Sequence, residues 1–340
     1  MKIIVDGFGG DNAPLAVLEG CRMAADEYGV EIILTGDEKK LRACAEEHRI
    51  SLAGMELVHT PSVIPVDAHP QDIMTEYADS SMAEAMRLLA AGKGDAVVCA
   101  GSTGAMVVSA SLMVRRIKGV KRATLAPIIP SESGCNILMD AGANVECSPE
   151  MLLQFGVMGS AYMEKIMGIK QPRVAVVNIG AEETKGRELE LGAHTLFRQS
   201  GILNFTGNIE PRYIPRGDAD VVITDGFTGN VVLKLTEGLG KMIGNALKDI
   251  FMDGFAGKIA GLLVLKKVKA FKKKMDYTEY GGAPLLGISK PVIKAHGSSN
   301  GNAFKNAIRQ ARDFAERDVI GQITDSLAKI KEQNTQTKAE

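Results

Sequence analysis

Apolar residues in this chain occur in short β-branched runs without alternation, separated by longer stretches with helical spacing. Such runs are typical of parallel strands with both faces covered. The predicted strands are 3–5, 32–34, 55–58, 96–99, 125–129, 136–139, 174–178 and 221–224. The predicted helices are 14–28, 38–47, 81–91, one after Gly104, 149–167, 189–199 and a final helix over 302–331. The alternation predicts a layered α/β fold with one mostly parallel sheet.

One stretch departs from this alternation. From 230 to 274 the spacing stays helical, with no strand long enough to join the sheet. The pattern therefore predicts a single α/β domain over residues 1–331, with a projecting helical hairpin inserted over 230–280. A polar tail follows at 332–340.

The second half of this hairpin is both apolar and basic. The apolar run is Leu262, Leu263, Val264 and Leu265, and lysines follow at 266, 267, 269, 272, 273 and 274. No acidic residue lies between positions 253 and 276. The segment resembles an interfacial membrane anchor, in which each lysine contributes about 1 kcal/mol near an anionic surface. Two other interpretations stay open: leucines in a dimer interface, and docking of an acidic protein.

Glycine-rich turns follow the predicted strands at 6–12, 101–104, 140–144, 178–180, 225–230 and 296–300. Ligands of parallel sheets bind beyond the carboxyl ends of the strands, where backbone amides and helix N-termini attract anions. One such turn is usually only structural, but six at one edge indicate an anion site. The candidate substrate-binding residues are Asp6, Gly9, Gly10, Asp11, Asn12, Ser102, Thr103, Gly104, Asp140, Asn144, Asn178, Asp225, Thr228, His296 and Ser298.

Two further side chains in these turns are candidates for catalysis. Lys185, in the segment GAEETKG at 180–186, is either an ordinary surface lysine or a positive charge that holds an anion and stabilises a developing oxyanion. Asn230 is either a helix N-cap or an amide donor to a carbonyl or phosphate oxygen. Because the sequence has no evident side-chain nucleophile, we expect the substrate itself to be the nucleophile, a role that phosphate can fill at neutral pH.

Several other chemistries find no support in the sequence. Gly7 and Gly9 mimic the opening of a dinucleotide-binding GxGxxG motif, but its third glycine is replaced by Asn12. Neither GxxxxGK[ST] nor GxSxG occurs, and no HExxH motif or carboxylate cluster predicts a metal or cofactor. The net charge of −1 gives no long-range attraction for nucleic acid.

The cysteines and the apolar runs indicate a cellular compartment. Five cysteines occur without CxxC spacing, as expected for small buried residues in a reducing cytosol. No signal peptide is evident, and no apolar run reaches the ~20 residues that span a bilayer. We therefore expect a cytosolic protein whose membrane contact is limited to the hairpin.

Taken together, the motifs resemble those of the acyl-ACP:phosphate acyltransferases of bacterial phospholipid synthesis (ACP, acyl carrier protein), over nearly the whole chain. They are DGFGGDNAP at 6–14, SSM at 80–82, GSTGA at 101–105, LMDAGAN at 138–144, NIG at 178–180 with KG at 185–186, DGFTGN at 225–230 and HGSS at 296–299. Two departures are visible: the family usually has Ala-Met at 7–8, and residues 73–79 lack its usual basic run.

The resemblance implies a Rossmann-type core like that of isocitrate and isopropylmalate dehydrogenases, and a homodimer. It implies conversion of acyl-ACP and phosphate to acyl phosphate and free ACP, without metal or nucleotide, with Lys185 and Asn230 as catalytic residues. It also implies a cytoplasmic protein peripherally bound to the inner face of the cell membrane, whose product passes to a glycerol-3-phosphate acyltransferase. The alternatives are an acyl-CoA:phosphate transferase of the phosphotransacetylase type and a non-enzymatic membrane scaffold.

Overall fold

A computed structural model of the chain describes residues 1–275 and 280–336. Its strands are β1 (Lys2–Asp6), β2 (Glu31–Gly36), β3 (Met55–His59), β4 (Ala96–Cys99), β5 (Thr124–Leu125), β6 (Ile128–Ser131), β7 (Gly134–Met139), β8 (Arg173–Val177), β9 (Asn204–Ile209), β10 (Val221–Ile223), β11 (Ala283–Leu286) and β12 (Val292–Lys294). Its α-helices are α1 (Leu15–Tyr28), α2 (Glu38–Glu47), α3 (Ser81–Ala90), α4 (Thr103–Ser109), α5 (Pro149–Lys165), α6 (Glu188–Ser200), α7 (Gly226–Met252), α8 (Gly254–Met275), α9 (Gly301–Glu316) and α10 (Val319–Gln336).

The strands are divided between two sheets. The first has the order β3-β2-β1-β4-β12-β11-β5 and the second β6-β7-β10-β8-β9. Pairs are parallel except β12–β11, β11–β5 and β6–β7. The predicted α/β class with mostly parallel strands is confirmed, whereas the prediction of one sheet is wrong.

The chain changes sheets inside a segment that the sequence predicted as one strand. Residues 125–129 are split between β5 and β6, which belong to different sheets. Pro127 lies between the two strands and has no amide hydrogen to continue a ladder. The carbonyl of Pro127 still accepts a hydrogen bond from Leu138 of β7 at 3.0 Å, which holds the crossing against the second sheet.

Buried aliphatic side chains explain why the predicted strands form. Ile3, Ile4 and Val5 of β1 are fully buried, because helices cover both faces of the sheet. One covering layer is α1 against α9, where an added Cβ at Gly20 would lie 2.3 Å from the Cβ of Phe304. A glycine is therefore required for the two helices to approach this closely.

The final helix is broken, contrary to prediction. α9 ends at Glu316, and Asp318 adopts a left-handed φ of 48° before α10 begins. The Asp318 carboxylate then accepts the amide of Gly321 at 3.2 Å, as a helix-capping side chain does. α10 extends to Gln336, so the predicted tail begins inside a helix, and residues 337–340 lie outside the described residues.

The helical part of the predicted hairpin is confirmed as α7 and α8, which meet at Asp253, while residues 276–279 are not described. Beyond Lys234 the apolar side chains of both helices are largely exposed. Examples are Leu235, Leu239, Met242, Ile243, Ile250, Met252, Phe255, Ile259, Leu262, Leu263, Leu265 and Phe271. The described residues of this hairpin therefore present a long exposed apolar surface.

The predicted apolar run, Leu262 to Leu265, lies along one arm of the hairpin and not at its turn. The turn itself carries Ile250, Met252 and Phe255. Leu262 is eight residues past the start of α8, which is about 12 Å along the helix. Leu262 and Leu263 are 73% and 82% exposed, and Val264 is half-buried. In the part of the chain that the structure describes, no helix is both long and apolar enough to cross a membrane.

Candidate active site

Three of the predicted turns meet at the carboxyl ends of β1, β4 and β12, which are neighbours in the first sheet. We call residues 6–12, 100–104 and 295–300 the first edge. The amide of Asp11 donates to the carbonyl of Gly297 at 2.8 Å, and the Asn12 side-chain amide donates to the carbonyl of Ser298 at 3.2 Å. An added Cβ at Gly9 would lie 2.7 Å from the Gly101 nitrogen. The first edge is thus a continuous, tightly packed surface of backbone.

Asp6 lies beneath this edge and is 1% exposed. Its carboxylate accepts the amide of Phe8 at 3.2 Å, which shapes the turn. Burial raises the pKa of Asp6, although Ser81, the Phe8 amide and Lys294 favour its charged form. Asp6 therefore supports the edge from below.

Lys294 is a functional candidate that the sequence analysis missed. Its ammonium donates to the carbonyls of Ala100 at 2.9 Å and Ala295 at 2.7 Å, so it is fixed between two turns of the first edge. Burial lowers the pKa of Lys294, while Cys99 and Asp6 act in the opposite direction. The lysine closes an apolar run just before HGSS, which is the signal that could have revealed it.

Ser102 and Gly104 are two of the predicted binding residues of the first edge, and both lie at the start of α4. Ser102 is buried at the start of α4 and makes no side-chain cap hydrogen bond there. An added Cβ at Gly104 would lie 2.7 Å from the Cγ of Pro70. Gly104 thus packs against the 70–74 turn, and this packing accounts for the absence of a side chain.

The other three predicted turns meet at the carboxyl ends of β7, β10 and β8, which are neighbours in the second sheet. We call residues 140–144, 178–187 and 225–230 the second edge. The prediction that all six turns lie at one sheet edge is therefore wrong, because each of the two sheets has an edge with three of them. The cause is the sheet crossing at Pro127, which the sequence pattern did not indicate.

Asp225 starts α7 as its N-cap. Its carboxylate accepts the amide of Thr228 at 2.7 Å, the Thr228 hydroxyl at 2.9 Å and the Arg187 guanidinium at 2.8 Å. Burial alone raises the pKa of Asp225, but the bonds from Thr228 and Arg187 outweigh it, and the net shift is downward. Arg187, which the sequence analysis also missed, therefore fixes the 178–187 loop to the start of α7.

Asp140 shapes the neighbouring turn and joins the two sheets. It is fully buried, and its carboxylate accepts the Asn144 side-chain amide at 2.9 Å and the backbone amide of Leu125 at 3.0 Å. Leu125 belongs to β5 of the first sheet. The Asn144 side chain also donates to the carbonyl of Ala123 at 2.7 Å. The second edge is thus held against the last strand of the first sheet.

Both predicted catalytic side chains lie at the second edge. The Asn230 side chain lies over Gly142, where an added Cβ would be 3.6 Å from the Asn230 Cγ. Lys185 is exposed; its carbonyl accepts the Asn178 side-chain amide at 2.9 Å, and its Cγ would lie 3.1 Å from a Cβ at Gly180. Small residues beneath both side chains leave them room to reach a ligand.

Helix α7 connects the two edges. Asn230 and Lys234 are one helical turn apart and lie on the same face of α7. Lys234 and Glu237 lie close enough to His296 of the first edge to act on its pKa, which burial lowers. Nδ1 of His296 is 2.8 Å from the Ser298 hydroxyl. Helix α7 therefore starts at the second edge and carries an ion pair, Lys234 with Glu237 at 2.9 Å, into the neighbourhood of His296 at the first edge.

The sequence is similar to those of known proteins over nearly its whole length. The model of the fatty acid synthesis protein family matches residues 1–322. The phosphate acyltransferase of Alkaliphilus oremlandii is 45% identical over 97% of this chain and 98% of its own length. That of Clostridium botulinum is 45% identical over 98% of this chain and 100% of its own.

Solved structures are similar in fold. The EutD phosphotransacetylase of Staphylococcus aureus has a TM-score of 0.60 at 17% identity and covers 93% of each chain. A phosphotransacetylase of Streptococcus pyogenes has a TM-score of 0.61 at 16% identity, covering 97% of this chain and 94% of its own. At these identities the likeness shows the α/β fold alone, whereas the family match and the relatives at 45% identity concern nearly the whole chain. The chain therefore belongs to the fatty acid synthesis protein family.

Proposed function

We propose that the protein transfers an acyl group from acyl carrier protein to inorganic phosphate, releasing an acyl phosphate and the free carrier. The chain is a phosphate acyltransferase, as its relatives at 45% identity are. The structural observation that carries the proposal is that each glycine-rich edge has a lysine ammonium, Lys294 at the first edge and Lys185 at the second. Such a surface suits phosphate, because backbone amides, helix N-termini and lysines all favour a bound anion.

In the proposed reaction, phosphate is the nucleophile. An oxygen of HPO₄²⁻ attacks the thioester carbon, a C–O bond forms and the C–S bond breaks. The proton of the phosphate passes to the departing thiolate, so the products are the acyl phosphate and the carrier thiol. Lys185 and Lys294 supply positive charge to the phosphate, and the Asn230 amide donates to the tetrahedral oxyanion. Donors of this kind typically each contribute ~10²–10³ in rate.

The thiol of Cys99, beneath the first edge, is poorly suited to replace phosphate as the nucleophile. Cys99 lies at the end of β4 under the first edge and is fully buried. Burial raises the pKa of Cys99 to about 12, despite the opposing effect of Lys294. At neutral pH this thiol is protonated, and the thiolate is the nucleophilic form. Direct attack by phosphate needs no such group.

The test is to incubate the purified protein with acyl-ACP and radiolabelled phosphate, and to measure labelled acyl phosphate together with released thiol. We expect equal amounts of both products. A parallel reaction with acyl-CoA of the same chain length distinguishes the carrier from a phosphotransacetylase-type donor. Thiol release without label in the product would mean hydrolysis and would refute the proposal.

We further propose that the hairpin binds the anionic inner face of the cell membrane, and that two copies of the chain associate as a homodimer. The acyl phosphate then passes at that surface to a glycerol-3-phosphate acyltransferase.

The exposed leucines and the basic end of α8 support membrane contact. Leu262→Glu with Leu263→Glu should abolish binding to phosphatidylglycerol vesicles and leave turnover in solution intact. Unchanged vesicle binding would refute the contact, and sedimentation equilibrium tests the dimer.

A further inference from the structure

A strongly basic loop precedes β5. Residues 114–123 read VRRIKGVKRA, and the chain has no acidic residue between Asp95 and Glu132. The basic loop, as we call residues 115–122, thus carries five cationic side chains and no anionic one. The reaction proposed above uses none of them.

The loop is held rigidly, with its charges outward. Ile117 and Val120 are buried, whereas the five cationic residues between and around them are all exposed. The Ile117 amide donates to the carbonyl of Gly287 at 2.9 Å, and the Gln154 side chain bonds the backbone of residues 119 and 121. Because the backbone is fixed by these bonds, the cationic side chains project from a preformed surface.

Most of this charge is not neutralised within the chain. Lys121 lies 3.4 Å from Glu150, and the Arg116 guanidinium donates to the carbonyl of Lys121. Within residues 1–275 and 280–336, no carboxylate lies at salt-bridge distance from Arg115, Lys118 or Arg122. Clustered like charges repel one another, and a partner of opposite charge removes that cost.

The basic loop adjoins the candidate active site. Ala123, the residue after the loop, accepts the hydrogen bond from the Asn144 side chain at 2.7 Å. Two residues further on, the Leu125 amide binds the Asp140 carboxylate. Val145, next to Asn144, is 66% exposed. A molecule bound to the basic loop would therefore lie beside the second edge, on a surface with both cationic and apolar side chains.

We propose that the basic loop is the docking surface for an acidic face of the carrier protein that delivers the acyl thioester. This inference rests on the proposed function, in which the acyl group arrives on a carrier protein. A membrane fits less well, because the apolar side chains of the loop point inward and it contains no aromatic residue to enter the lipid. Electrostatic docking of this kind acts mainly on the association rate.

The experiment compares Lys118→Glu/Arg122→Glu with a matched control, Lys170→Glu/Lys329→Glu, which makes the same charge change at exposed sites elsewhere. Binding of fluorescent holo-ACP is measured by anisotropy, and kcat/KM is measured with acyl-ACP and with acyl-pantetheine. We expect the loop variant to lose about tenfold or more in carrier affinity and in kcat/KM for acyl-ACP, but nothing with acyl-pantetheine. The control should match the unaltered protein, whose carrier binding should weaken with added salt.

Unchanged carrier affinity in the loop variant would overturn the docking proposal, as would an equal loss with acyl-pantetheine. If the loop variant no longer bound vesicles of equimolar phosphatidylglycerol and phosphatidylcholine but kept its affinity for the carrier, the loop would be assigned to lipid binding instead. Because anisotropy needs no turnover, it judges docking separately from the reaction. Failure of the unaltered protein to form acyl phosphate from either donor would overturn the proposed function alone.

Discussion

Replacing Lys294 by methionine tests whether the first edge holds phosphate. The substitution keeps an unbranched apolar side chain but removes the ammonium, and with it the charge and two hydrogen bonds, to the carbonyls of Ala100 at 2.9 Å and Ala295 at 2.7 Å. Bonds from charged donors contribute about 1.5–3 kcal/mol each, and water replaces part of this at a half-buried site. We therefore expect the free energy of unfolding to fall by about 1–3 kcal/mol. The kcat/KM for phosphate should fall by ~10²–10³.

Lys290→Met is the matched control for this prediction. The Lys290 ammonium also donates to a backbone carbonyl, that of Leu89 at 2.9 Å, but it lies just before the other end of β12. Urea unfolding should show a loss of stability in both variants, and acyl phosphate formation at varied phosphate should fail only in Lys294→Met. A folded Lys294→Met protein within about threefold of the normal kcat/KM for phosphate would refute the role of Lys294.

Two further predictions concern the start of α7. Gly229→Ala should lower kcat and lower the free energy of unfolding, measured by urea titration, by about 1–3 kcal/mol, because the new Cβ would lie 1.8 Å from the Asp140 carbonyl oxygen. Gly240→Ala is the control: its new Cβ has no atom within 4 Å, so the same titration should show a slight gain in stability. Since the pKa of Asp225 is lowered in the folded state, its stabilisation is complete above the ordinary value of 3.8 and is lost as pH falls through the lowered pKa. Unfolding titrations between pH 5 and pH 3 should therefore show a steeper loss in the unaltered protein than in Asp225→Asn, and parallel curves would contradict this.

Most of the strands and helices could be predicted because their signals are local. Seven of the eight predicted strands formed as expected, and all of them except β3, at the end of the first sheet, are apolar runs whose residues are mostly buried. The division into two sheets could not be predicted, since it depends on which distant strands pair. β5 has two residues, and β12 has only two apolar residues before Lys294, so neither forms a run that stands out in the sequence. The helix break at Asp318 likewise depends on a backbone angle that no local motif indicated.

The candidate site was predicted in part for the same reason. Glycine-rich turns after strands are visible in the sequence, and Lys185 and Asn230 lie in such turns. Lys294 was missed because the strand that it ends was missed. Arg187 was missed because its partner Asp225 is 38 residues away, and only the fold brings the two together. Charged residues whose partners lie far away in the sequence can therefore be identified only from the structure.

The central step of the proposed reaction is direct attack on the thioester by phosphate, held by ammonium groups and glycine-rich turns. The decisive experiment measures single-turnover transfer by Lys185→Ala, with acyl-ACP and labelled phosphate at saturating concentrations. We predict a folded protein that transfers the acyl group ~10²–10³ more slowly, with no acyl group bound covalently to the chain at any time. A normal transfer rate would refute the role of Lys185, and an acyl-enzyme that forms before label enters the product would refute direct attack by phosphate.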